Sequence, residues 1–277
     1  MLSLNVKKLT LILITALAAV GGWKMGYARV LPQVVVAVAA AAAIDAAVVL
    51  FRQKKLVWSD SAAITGLIVA GVAAPQTSPI VIAAVAAVAV VSKHIIRFDR
   101  RNVFNPAALG LLLGVFVFGL RLSWWIDSTH LLTIAAGALL LARFAGRWRL
   151  VLVFLAVFAG LLAAYAWRLG DPLVDVWFQY VSITSFFVFF MATDPRTSPV
   201  MARHLPAFGA IAAAGSFLSV VLHPASIFIG GELLANLSTP LFNRAALRKP
   251  PAPAPRPPVQ AAAPAATSGS GTAGPAL

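Results

Sequence analysis

Two carboxylates stand inside apolar runs: Asp45 among alanines, and Glu232 directly after Gly230 and Gly231. An unpaired carboxylate in lipid is costly, so each must face protein and either pair or take up a proton. That suits a proton or cation relay, and it suits equally a structural hydrogen bond between helices. The two glycines let a neighbouring helix approach Glu232 closely. Further candidates lie where apolar runs stop. Thr193-Asp194-Pro195 ends an aromatic-rich run, and a carboxylate beside such a break can hold a polar ligand or cap the next helix. Asn105-Pro106 reads as an N-cap followed by proline in the first helical turn. An exposed helix N-terminus there could accept a phosphate or a carbonyl oxygen. Phe186, Phe187, Phe189 and Phe190 are too continuous to form one stripe. Most should face lipid or pack in the core, with a minority free to stack on a ring. The chain has no cysteine, which removes disulfides, thiolate metal sites and cysteine nucleophiles. Four histidines and eight acids argue against an all-protein metal cage.

The elements that must position these groups are membrane helices. Of the 277 residues 61% are hydrophobic and 11% charged, with mean hydropathy +0.91. A soluble domain is about 45–50% apolar and about 25% charged. Long continuous apolar runs favour helices over a barrel, whose strands alternate weakly over about ten residues. Ten runs can be marked: Leu9–Gly26, Leu31–Phe51, Ser61–Ala74, Ile80–Val91, Pro106–Leu120, Leu131–Arg143, Leu150–Trp167, Val176–Ala192, Ala207–Leu222 and Ser226–Phe242. Several fall short of the ~20 residues of a full span. Their ends carry Pro, Gly, Asn and Thr, as broken helices do. Such backbone is tolerated in a membrane only where protein or a cavity covers it.

The net charge of +14 invites a nucleic-acid reading, but its distribution argues against one. Of 22 Lys and Arg, 18 fall at the two termini and in alternate gaps. Only Lys24, Arg29, Arg121 and Arg168 fall in the other gaps. This asymmetry is a topology signal and places both termini in the cytoplasm. Trp124 and Trp125 are expected in the outer aromatic belt. A rival reading of the first run is a signal peptide ending at Ala16-Leu17-Ala18, which would leave nine spans. Residues 250–277 hold 8 of the 18 prolines and form no long apolar run. They read as a disordered Pro/Ala-rich cytoplasmic tail after a membrane domain of residues 1–249.

The domain repeats. Thr65 to Pro79 and Ser185 to Pro199 each open on a hydroxyl residue and close on Pro-x-Thr-Ser-Pro, the second frame including Thr197. Each is the third run of its half, and each half closes with an asparagine-bearing segment, Phe104-Asn105-Pro106 or Ala235-Asn236-Leu237. Five runs per half is odd, so the halves enter the membrane from opposite sides. The expected fold is an all-α polytopic membrane protein of about ten transmembrane helices. It comprises two inverted five-helix repeats with broken helices, about 9–120 and 123–245.

These residues resemble the NqrB/RnfD family. Thr65-Gly66-Leu67, Pro75, Lys93-His94 and Asn102-Val103-Phe104-Asn105-Pro106-Ala107-Ala108 are similar to its first half. Phe189 to Thr197, with Leu233-Leu234-Ala235-Asn236 and Pro240-Leu241, are similar to its second, and the likeness covers roughly residues 56–245. The resemblance implies a membrane flavin subunit of a sodium-translocating NADH:quinone reductase or of an Rnf complex. It implies electron transfer across a bacterial inner membrane, other complex subunits as partners, and FMN or riboflavin as cofactor. It puts cofactor contacts at Asn105, Pro106, Thr193, Asp194 and Thr197. Family members attach FMN to a threonine in a Ser-Gly-Ala-Thr-like outer loop. Here that loop offers Asp127-Ser128-Thr129-His130, so Thr129 is the only counterpart for covalent FMN, and the Gly-Ala frame is absent. The glycine-rich stretch before Asn-Pro-Ala is replaced by Arg97-Phe98-Asp99-Arg100-Arg101. The expectation is therefore a compact, divergent member that holds flavin non-covalently or holds none. A small-solute or ion transporter of inverted-repeat fold, and a cofactor-free anchoring subunit, stay open as alternatives.

Overall fold

The computed structural model describes residues 5–54, 59–99, 101–143, 146–172, 175, 180 and 183–247. The tail, residues 250–277, and most of 173–182 lie outside the described residues. Among the described residues ten helices follow one another: α1 (Val6–Met25), α2 (Tyr27–Gln53), α3 (Asp60–Val72), α4 (Pro79–Ile95) and α5 (Pro106–Phe118) in the first half. The second half has α6 (His130–Leu141), α7 (Trp148–Leu169), α8, α9 (Leu205–Leu222) and α10 (Ile229–Leu247). Described from Thr184, α8 is an α-helical turn, Thr184–Phe186, continued by a π-helical turn, Phe187–Met191. One short hairpin interrupts the helices: β1 (Arg97–Phe98) pairs antiparallel with β2 (Arg101–Asn102).

Local signals set the ends. Ser59 caps α3 by accepting from the Ala62 N–H. Asn105 caps α5 through Oδ1, which accepts from the N–H groups of Ala107 and Ala108, and Pro106 opens the first turn as expected. Gly119, at φ +61°, closes α5 in the left-handed region that a side chain would resist.

Helices α1, α2, α7 and the stretch Ala202–Leu222 are long and apolar enough to cross a membrane. Helices α3, α4, α5 and α6 are apolar but shorter. At 1.5 Å per residue the 13 residues of α3 or α5 reach about 20 Å, less than the ~30 Å hydrocarbon core. Their ends therefore stop at membrane depth, where every exposed carbonyl and N–H needs a partner from the protein.

Both breaks meet that need, with different groups. After α3 the Val72 carbonyl accepts from the N–H groups of Ser123 and Trp124 (2.9 and 3.2 Å), and the Ala74 N–H donates to the Arg121 carbonyl (2.9 Å). Gln33 Nε2 donates to the carbonyls of Ala70 and Ala73 at 2.8 and 3.2 Å, and Trp125 Nε1 to that of Ala70 at 2.7 Å. After α8 the work falls to two arginines. Arg147 donates to the Thr193 carbonyl (3.1 Å) and to the Ser198 hydroxyl. Arg101 donates to the carbonyls of Pro195 and Ser198. Helix α5 links the two breaks. Its N-terminus meets α10 beside the second, and the chain after its C-terminus seals the first. The same motif thus lies at opposite ends of one helix, which is the inversion expected from five runs per half.

Glycine permits the close crossings. A Cβ on Gly66 would stand 2.7 Å from Val38 Cα and 2.8 Å from the Ala37 carbonyl, so α3 lies directly on α2 there. A Cβ on Gly215 would stand 2.9 Å from Gly231 Cα, so α9 and α10 touch backbone to backbone one residue before Glu232.

One expectation is corrected, and for the four phenylalanines the core alternative holds. Trp124 and Trp125 are buried, not in an interfacial belt. Trp124 packs edge-on against Phe187 and Phe228, and Trp125 closes the first break, so both plug one end of the bundle. Phe186, Phe187 and Phe190 are also buried, and Phe189 is half-buried, so none of the four faces lipid openly. The π-turn lies in the interior rather than on the bundle surface.

Candidate functional site

The second break, the start of α5 and the middle of α10 form one polar junction between the halves. Asn236 holds it together: its Oδ1 accepts from the Asn105 N–H at 2.7 Å, and its Nδ2 lies 3.4 Å from the Thr197 carbonyl and 3.5 Å from Glu232 Oε1. Thr239 donates to the same Thr197 carbonyl at 2.7 Å. Glu232 is fully buried, and among the described residues no Lys, Arg or His lies within ion-pair distance of it. Its Oε2 and the Thr197 hydroxyl make no hydrogen bond of ordinary geometry, although the Asn105 side chain also lies beside the Glu232 carboxyl. Asp194 stands near enough to repel it. A buried carboxyl with one idle oxygen beside an idle hydroxyl can take a proton or a small cation.

Beside this junction lies a cavity of about 260 Å³. Ile64 and Ile68 of α3 and Leu140 of α6 give it apolar walls, and Thr65 of α3 adds a hydroxyl-bearing side chain. Asn105 and Pro106 come from the start of α5, Phe190 from the π-turn, and Asp194, Pro195 and Arg196 from the second break. The structure thus brings the Asn-Pro and Thr-Asp-Pro segments, 87 residues apart from Pro106 to Thr193, to one place. Both halves of the repeat contribute to the wall.

The site residues named from sequence fare differently. The expected open N-terminus at Asn105 is corrected: Asn105 itself takes the Ala107 and Ala108 N–H groups, and Asn236 takes its own. Asn105 and Pro106 offer the cavity surface, not free donors. Asp194 caps its own turn, with Oδ1 accepting from the Arg196 N–H at 2.9 Å. Thr193 turns its hydroxyl back to the Phe189 carbonyl at 2.6 Å and does not line this cavity. Thr197 is fully buried in the junction. Asp45 lies apart from the junction: its Oδ1 is 2.7 Å from both Lys93 Nζ and His94 Nε2, so it is paired rather than idle. Thr129 lies at the other end of the bundle, as the residue before α6. Its hydroxyl oxygen is enclosed and without a partner, so a phosphoester there would need the side chain to turn outward.

Sequence reasoning missed three groups. Arg147 and Arg101 read as topology charges, yet both reach into the second break. Burial pushes the Arg147 pKa down to about 10, still far above neutrality, so a full positive charge faces the carbonyl end of α8. Asp127 read only as a neighbour of Thr129. It is buried and accepts from the Ser185 hydroxyl (2.9 and 2.7 Å) and the Phe186 N–H (2.9 Å), fixing the other end of α8. Burial raises its carboxyl above the ordinary range, against those hydrogen bonds. The one available signal was Ser185, which occupies the place of Thr65 in the repeated frame.

A family model described as the NQR2, RnfD, RnfE family matches the chain twice, over residues 3–136 and 127–250. One model fitting two successive stretches is how an internal repeat registers. No curated protein matches the chain.

Proposed function

Because the chain belongs to the NQR2, RnfD, RnfE family, whose members are membrane subunits of electron-transport and ion-translocating complexes, we propose that it passes electrons through a flavin held non-covalently in the 260 Å³ cavity. The observation carrying this is that Asn105-Pro106 and Asp194-Pro195 share that cavity with Phe190. Ile64, Ile68, Leu140 and Phe190 would cover the faces of a ring system, as apolar and aromatic walls do in most ligand sites. Thr65, Asn102 and Arg196 would meet its polar edge. A bound flavin supplies the electron chemistry; the protein orients it, excludes water and sets the local field. Glu232, with Asn236 and Thr197, would hold the proton or cation whose movement accompanies electron passage. Partners are other subunits of the same complex.

Purified protein should show the visible absorbance of oxidised flavin. Acid precipitation should release that flavin into the supernatant and leave a pellet without flavin fluorescence. Fluorescence that stays with the chain and disappears in Thr129→Ala would place the flavin in the other loop instead. A colourless, folded protein would favour the transporter or anchoring readings.

The basic residues of alternate gaps gather at one end of the bundle. Lys7, Arg97 and Arg196 line one cavity, while Arg101 and Arg147 reach the adjoining break. We place that end in the cytoplasm. Reporter fusions after His130 and Gly170 should then read as outside and one after Arg147 as inside; the reverse pattern contradicts the orientation.

A further inference from the structure

Beyond Glu232, away from the second break, the contact of α9 with α10 carries hydroxyls where packing alone asks only for small apolar groups. Ser216, Ser219 and His223 follow one another at spacings of three and four, so they share one face of the chain along α9 and its end. That face meets α10 where α10 has no side chain. A Cβ on Gly231 would collide with the Ser216 hydroxyl, and one on Gly230 would stand 2.6 Å from Ser219 Oγ and 3.9 Å from Ser226 Oγ. The room left by Gly230 and Gly231 is thus taken by hydroxyls.

In an apolar interior a serine hydroxyl ordinarily donates to a carbonyl of its own chain. Ser219 donates to the Gly215 carbonyl at 3.1 Å, and Ser226 to the His223 carbonyl at 3.0 Å. Ser216 does neither. It is wholly buried, and its hydroxyl has no partner among the described residues. His223 Nδ1 is also enclosed without a partner, with the ring against Phe116 at 5.0 Å between centroids. An orphaned buried hydroxyl costs about 1–3 kcal/mol. Alanine at 216 would give the same crossing without that cost, so helix contact alone does not account for the serine. A line of polar groups therefore leads from Glu232, next to Gly231, past Ser216, Ser219 and Ser226 to His223. His223 ends α9 at the end of the bundle away from the second break. With Gly215 packed directly on Gly231, the crossing has no room for a metal cation and its oxygen ligands, whereas a proton needs only hydroxyls that can turn.

We propose that this line is the outward proton path of Glu232, with His223 as its last acceptor. The proposal rests on the relay reading of Glu232 above and narrows the ion to a proton. The Glu232 carboxyl releases its proton and becomes a carboxylate. Ser216 takes that proton on oxygen as its own passes to Ser219, Ser219 does the same toward Ser226, and the last proton lands on His223 Nδ1. This requires the imidazole tautomer with its hydrogen on Nε2, and it leaves an imidazolium. The hydroxyls end as they began, and no electrons move along the line. His223 then loses a proton to water beyond α9. Glu232 is reprotonated from the side of the 260 Å³ cavity, where Asn105 and Asp194 adjoin it.

The test uses the assembled complex in sealed vesicles, in sodium-free medium with the membrane potential collapsed by potassium and valinomycin. The readout is protons moved per electron, followed with pH dyes on either side. The unaltered complex should move protons toward the side that His223 faces. Ser216→Ala keeps the crossing and removes one hydroxyl; with flavin content unchanged, its protons per electron should fall about tenfold or more. His223→Ala should fall as far, and imidazole added on that side should restore most of the loss while giving nothing to Ser216→Ala. A fall in His223→Ala that imidazole leaves in place makes His223 structural and overturns its role as acceptor. If both variants match the parent while Glu232→Gln moves no protons, the line is overturned and the Glu232 relay stands. If the complex carries sodium in place of protons, and Glu232→Gln stops it, the site takes a metal cation and the line is overturned. If Glu232→Gln also leaves ion movement unchanged, the line and the relay reading fall together.

Discussion

Replacing Arg147 with alanine should abolish the folded protein or lower its thermal midpoint further than any other single change proposed here. The guanidinium is buried and serves the Thr193 carbonyl and the Ser198 hydroxyl, where α8 ends at membrane depth. Without it the carbonyl has neither water nor side chain to meet. Each unsatisfied buried group costs about 1–3 kcal/mol, and the chain also loses a positive charge facing the carbonyl end of a helix. With two acceptors left unmet, a loss of about 2–6 kcal/mol is expected. Arg147→Lys should recover only part of it, because the lysine ammonium sits on a shorter stem and falls short of the Nη1 position that serves both acceptors. Thermal unfolding in detergent and the monodisperse yield read the effect. An alanine variant as stable as the parent would mean that the break is satisfied by other groups.

The second large effect is on activity. Glu232→Gln keeps the side-chain shape and a group able to meet Asn236, but removes the ability to carry a charge. Expression and assembly should stay near normal, while electron transport by the assembled complex falls at least tenfold. The argument rests on the burial of Glu232, its lack of an ion-pair partner among the described residues, and the idle Oε2 and Thr197 hydroxyl beside it. Undiminished transport would make the residue a structural link between α10 and α5.

What could be read from the sequence was what depends on local signals. Among the described residues each apolar run meets a helix, the eighth from Thr184 onward, because lipid demands continuous apolar stretches and the breaks carry proline. The Asn105 cap was legible for the same reason, since its acceptor and donors lie within three residues. The inward turn of Trp124 and Trp125 was not. Hydropathy sees two large amphipathic rings beside a loop; inside, Gly21 leaves room for Trp125, and Phe187 and Phe228 pack on Trp124. Nor was the role of Arg147: a basic residue before a helix reads as a topology signal, and its acceptors lie 46 and 51 residues away. Asp45 could be read as a group needing a partner, but its choice of Lys93 and His94 required the packing of α4 on α2.

The most direct test of the central claim is the flavin content of Ser61→Trp. Ser61 sits half-buried in the first turn of α3 and borders the 260 Å³ cavity, so an indole there fills that space while the bundle behind it is untouched. Helical circular dichroism and monodispersity should match the parent, and acid-releasable flavin per protein should fall to below about a tenth. A folded Ser61→Trp protein that keeps its full complement of flavin would place the cofactor elsewhere and contradict the account.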